Sequence, residues 1–128
     1  MEVPILKQGP YLIASIQSAL SDADLLQLRD AIVQQVGMFR SRGVIVDVTA
    51  LDVMDSFATR TLRDITFMIR LRGAETVIVG IQPDVAFTMV QLGLKLEGVP
   101  TALDLEEGIA FLNKKGPTAG KEASARGR

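Results

Sequence analysis

The chain has 128 residues, 48% of them hydrophobic, and a formal net charge of −1. That is enough for one domain with a substantial core. It contains neither Cys nor His, which excludes disulfides, thiolate nucleophiles, Ser-His-Asp hydrolysis and the zinc or haem sites that need those ligands.

The start, "MEVPILKQG", is acidic and lacks the basic opening of a signal peptide. No lipidation motif stands at either end. The apolar runs are broken by Asp, Gly or Arg within a few residues, too soon to span a bilayer. These features predict a soluble, cytoplasmic protein with no membrane contact. With 5% aromatics and no Trp, a base-stacking platform is not expected, nor is a nucleic-acid partner.

The stretch "PILKQGPYLIASIQ" predicts two short strands around a turn at Gly9-Pro10. Ser21 then opens a helix as its cap, with Asp22 and Asp24 in the first turn. Leu25, Leu28, Ile32, Val36 and Phe39 recur every three or four residues as its apolar face. Gly43 fits the position just beyond its last turn.

"VIVDV" (44–48) is apolar and β-branched, as a strand buried on both faces should be. The next helix carries Ala58, Leu62, Ile65 and Ile69 on its buried side and ends near Arg70, Arg72 and Gly73. "TVIVGI" (76–81) is a second buried strand. Pro83 suits a first helical position, and Val85, Met89 and Leu92 mark a short helix ending at Gly93. "VPTALD" (99–104) predicts an edge segment. Asp104 and Glu107 have capping-box spacing before a helix with Leu105, Ile109 and Leu112 inward.

The resulting order is ββαβαβαβα, an α/β fold with a mixed, mostly parallel sheet in which only the opening hairpin is antiparallel. The domain is expected over 1–115. Residues 114–128, "KKGPTAGKEASARGR", hold five basic side chains against one Glu, net +4, which leaves −5 on the first 113 residues. Poor in large apolar groups, residues 116–128 are expected to form a disordered basic tail.

The chemistry-bearing residues gather at one junction, "VMDSFAT" (53–59). Asp47, Asp52 and Asp55 could supply carboxylates to a hard cation, but turn and cap roles account for them more simply. No phosphate-cradling glycine loop occurs. Neither a metal nor a cofactor is therefore expected, and no catalytic residue is assigned. Ser56 reads in two ways. It can cap the helix that follows, or it can accept a phosphate at a helix start. Arg60 and Arg63 could line the same surface or form an ordinary solvated face. Thr88 is a second hydroxyl, placed by the helical period beside an apolar face, where packing is the simpler role.

Together "VPILK", "LIASIQ", "DVMDSFATRTL", "RGAETVIVGIQPDVAFTMVQLG" and "TALDLEEG" resemble the STAS domain, the sulfate-transporter and anti-sigma-factor-antagonist module. The resemblance runs from residue 3 to about 113 and points to the antagonist type found in stressosomes. It implies a non-enzymatic scaffold that sequesters a serine kinase of the switch class. Its other expected partners are STAS-containing regulator paralogues in a large assembly and a serine phosphatase that resets the system. It implies phosphorylation at Ser56, more weakly at Thr88, and a partner surface of Asp55, Ser56, Phe57, Thr59, Arg60 and Arg63. A stand-alone antagonist that binds an anti-sigma-factor kinase directly, without a scaffold, is the alternative.

Overall fold

The computed structural model describes residues 3–115; the expected basic tail at 116–128 lies outside them. The elements in chain order are β1 (Ile5–Gln8), β2 (Tyr11–Ser15), α1 (Asp22–Phe39), β3 (Gly43–Asp47), α2 (Ser56–Leu71), β4 (Glu75–Val79), α3 (Pro83–Leu92), β5 (Thr101–Ala102) and α4 (Leu105–Lys115). This is the expected ββαβαβαβα order.

The five strands lie in sequence order in one sheet. β1 and β2 pair antiparallel, with Gln8 opposite Tyr11 across the turn. The other pairings are parallel. Right-handed crossovers that always step in the same direction must place their helices on one face. Accordingly α1, α2 and α3 bury Leu28, Ile32, Leu62, Ile65, Val85 and Met89 against Leu12, Val44, Val46 and Ile78. The opposite face is covered by α4, whose Leu112 packs with Tyr11, Ile13, Ile45, Val77 and Val79. Successive residues of β3 thus enter different cores, and Val44, Ile45 and Val46 are all fully buried. That is why "VIVDV" is continuously apolar.

The helix ends show local rules at work. Ser21 and Asp24 form a complete capping box, with Asp24 N–H donating to Ser21 Oγ at 3.0 Å and Ser21 N–H to Asp24 Oδ2 at 3.2 Å. Pro83 occupies the first turn of α3, as expected. At α4, Glu107 N–H donates to Asp104 Oδ1 at 2.9 Å, but the Glu107 carboxylate accepts from Leu103 N–H instead of Asp104 N–H.

Four expectations are corrected. Gly43 does not end α1: the left-handed residue there is Arg40, φ 51°. Gly43 instead begins β3, where a Cβ would lie 2.8 Å from Leu112 Cδ1 and 3.2 Å from the Tyr11 ring, so it lets α4 close onto the sheet. Phe39, Leu92 and Leu105 share the apolar spacing of their helices yet are 41%, 66% and 37% exposed. Phe39 and Leu92 are the last residues of their helices, and Leu105 is the first of α4.

Ile65→Ala should therefore cost about 2–5 kcal/mol, because it opens a cavity under α2. Leu92→Ala should cost about 0.5 kcal/mol or less, as exposed substitutions do. Urea unfolding of the two variants checks this; equal losses would contradict the packing described.

Candidate functional site

The junction seen in the sequence is the loop that leaves the C-terminal end of β3 and enters α2. Asp47 closes its first turn: its Oδ1 accepts from Thr49 N–H at 2.9 Å and from the Thr49 hydroxyl at 2.6 Å. Leu51 N–H donates to the Val48 carbonyl at 2.9 Å. Leu51 and Met54 turn inward and are buried, while Val53 is 63% exposed and Asp52, Asp55 and Ser56 face solvent. The loop is thus pinned by two apolar anchors and presents the residues between and after them.

A second loop braces it. Gln82 Nε2 donates to the Thr49 carbonyl at 2.5 Å. Gly80, at φ 84°, passes so close to Thr49 that a Cβ would meet its Cα at 3.1 Å and collide with its hydroxyl. Only glycine satisfies both that φ and that approach. The sequence reading missed this brace; the Gly in "GIQP", directly after a buried strand, was its available signal.

The helix cap falls one residue earlier than expected of Ser56. Asp55 is the N-cap of α2, its Oδ1 accepting from Ala58 N–H at 2.8 Å, and Ser56 is the first helical residue. Either side chain can cap, but the carboxylate holds the position. The Ser56 hydroxyl is left exposed and makes no hydrogen bond to the described residues.

Asp55, Ser56 and Arg60 share the exposed surface at this helix start, with Phe57 half-buried beside them. Arg63 is half-buried, and its Nη1 donates to the Lys95 carbonyl at 3.1 Å. Thr59 does not belong to this surface. It is 2% exposed, and its hydroxyl donates back to the Asp55 carbonyl at 2.8 Å. Thr61 and Thr66 do the same to Phe57 and Leu62, so the buried hydroxyls of α2 are satisfied within the helix. Thr88 corrects the other way: it is exposed on α3, where partial burial was expected.

Beside Asp55 lies a crevice of about 60 Å³ lined by Ile16, Leu20, Leu25, Leu51, Val53 and Ala58. It adjoins the exposed serine and was not legible in the sequence, because its walls come from two separate stretches, 16–25 and 51–58. Among the described residues, no group of three acidic side chains is arranged to hold a metal ion. Asp47 and Asp55 serve the turn and the cap instead. No helix of the described residues is long and apolar enough to cross a membrane.

A five-stranded sheet in sequence order, with three helices on one face, one helix on the other and a braced loop presenting a serine at a helix start, defines a recognisable class. The STAS-domain profile matches residues 2–108, and the chain belongs to the STAS family. Over 89% of its length it superposes on RsbS of Moorella thermoacetica, in a serine-to-glutamate variant, with a TM-score of 0.76 and 34% identity, covering 97% of that chain. A chain from a study of the molecular architecture of the stressosome, described there as a signal integration and transduction hub, gives 0.70 and 33% over 87% of this chain and 96% of its own. The RsbT co-antagonist protein RsbRA of Bacillus subtilis is 36% identical over 70 residues, 55% of this chain. That match spans only 26% of RsbRA. The anti-sigma factor antagonist SpoIIAA, at 16% identity and a TM-score of 0.65, shares the fold.

Removing the cap by Asp55→Ala should destabilise the domain by about 1 kcal/mol. Ser56→Ala should leave stability within about 0.5 kcal/mol, because that hydroxyl holds nothing. Denaturant midpoints of the two variants decide which residue caps the helix.

Proposed function

We propose that this protein is a non-enzymatic antagonist of the stressosome type, which holds a serine kinase of the switch class and releases it when Ser56 is phosphorylated. The observation that carries this reading is the division of labour at the start of α2. Asp55 performs the structural task of the cap, and the adjoining Ser56 hydroxyl is exposed on a braced loop. A kinase can reach such a hydroxyl without unfolding anything. The serine oxygen would take the terminal phosphoryl group of a nucleoside triphosphate, the diphosphate would leave, and the serine proton would pass to a base of the kinase.

The product explains release. A phosphate adds roughly −1.5 to −2 charge where Asp55 already supplies a carboxylate. The helix start tolerates that charge through its dipole and its remaining free N–H groups. A partner surface seated over Asp55, Ser56, Phe57 and Arg60 would have to bury it, and would lose affinity by desolvation and repulsion. The domain itself would change little.

The remaining partners follow from the likeness to RsbS and to the co-antagonist RsbRA: regulator paralogues carrying the same domain, assembled with this one, and a phosphatase that restores Ser56, all in the cytoplasm. Thr88, exposed on α3, is the second proposed acceptor, subordinate to Ser56. The domain is taken to run over 1–115.

Phosphopeptide mass spectrometry on the protein from its own cells, before and after stress, tests the switch. Phosphate is expected to rise on Ser56 with stress. In pull-downs Ser56→Ala should retain the kinase under stress, and Ser56→Asp should weaken the complex. Undiminished kinase binding by Ser56→Asp, together with an unmodified Ser56 under every stress, would overturn the mechanism.

A further inference from the structure

One face of α2 carries a stripe at alternating spacings of four and three: Ser56, Arg60, Arg63, Phe67 and Arg70. Most of it is committed to the loop between α3 and β5. Arg63 donates to the Lys95 carbonyl at 3.1 Å, and Arg70 donates to the Gly98 carbonyl at 3.0 Å. Arg70 also lies 3.7 Å from the Glu75 carboxylate and 5.7 Å from the centroid of the Phe67 ring. That ring in turn sits where a Cβ on Gly98 would meet it at 3.3 Å. Arg60 is the exception. It is exposed and makes no hydrogen bond or ion pair with the described residues, although Asp64 stands one turn away.

Helical side chains lean toward the N-terminus and cover the turn before their own Cα. Arg60 therefore overlies the turn that begins at Ser56. Residues four apart on a helix bring their Cβ atoms to about 5–6 Å, well within reach of a guanidinium. The backbone offers a phosphate there less than usual, because the Ala58 N–H is already held by Asp55. Arg63 is spent on Lys95.

We infer that Arg60 is the residue that pairs with phosphate on Ser56 within the same chain, an inference that rests on Ser56 being the modified residue. The pairing gives phosphorylation a second effect. Besides adding negative charge, it withdraws the one uncommitted guanidinium of the stripe from any carboxylate a partner would present to it. A single modification then alters two contact points a turn apart. Arginine suits this better than lysine, since its planar fork can take two phosphate oxygens together.

The test uses the full chain with phosphoserine installed at position 56 during synthesis, so no kinase is required. The second ionisation of the phosphate, near 6 in free phosphoserine, is followed by phosphorus NMR in the parent sequence and in Arg60→Ala and Arg60→Lys. An i, i+4 charge pair should hold the parent value about 0.2–0.4 unit below that of Arg60→Ala. Arg60→Lys should recover part of the difference, and about 1 M salt should remove it. Identical titrations in the parent and Arg60→Ala would overturn the pairing, and thermal melts of the unphosphorylated variants establish that both fold. The outcome is independent of the cellular one. Absence of phosphate on Ser56 in cells would defeat the proposed switch while leaving the titration intact, and a flat titration would defeat the pairing even if the kinase were in hand.

Discussion

The burial of β3 on both faces is the constraint on which the rest of the molecule depends. A strand whose successive side chains enter two different cores needs a helical layer above and another below. The chain meets that need asymmetrically. Three same-handed crossovers fill one side with α1, α2 and α3, and the final helix turns back to cover the other. Because every parallel strand points the same way, the loops that follow β3 and β4 emerge side by side. The brace of Gly80 and Gln82 on Thr49 is possible for that reason.

Through that adjacency a second loop supports the serine loop. Its two inward anchors, Leu51 and Met54, belong to the larger core, so its shape is fixed by the same packing that stabilises the domain. The offset between Asp55 and Ser56 then separates structure from signalling. Were the serine itself the cap, a phosphate would break the hydrogen bond that starts α2, and modification would loosen the helix. With the cap carried by the preceding carboxylate, modification changes the surface and leaves the frame intact.

Much of this was legible in the sequence, and what was not has physical reasons. Continuous β-branched runs identified β3 and β4. Ser21 with Asp24, and Pro83, marked helix starts by mechanisms that act within three or four residues. Spacing alone could not choose between Asp55 and Ser56, because both residue types cap and the choice depends on where the loop delivers the backbone. It could not show that Thr59 points inward, since threonine suits surfaces and back-bonded core positions alike. Leu92 kept the helical period, yet the period says nothing about whether sheet lies beneath the last turn. Gly43 looked like a helix terminator because the neighbour that requires it, Leu112, is 69 residues further on. The crevice beside Asp55 was hidden for the same reason, its walls being distant in the chain.

The unreversed strand order has a consequence for how this fold is reached. Tyr11 pairs with Gly43 and Gly43 with Glu75, so each of the two central parallel ladders closes over the same chain separation. The loop-closure entropy of the second crossover is therefore about that of the first. No strand must wait for a later one to be inserted between it and its neighbour. Assembly can proceed as a zipper from the opening hairpin, each β–α–β unit docking on a finished edge as it emerges from the ribosome. The step that comes last, the return of α4 across the second face, is the one that seals Ile45 and Val77 from water.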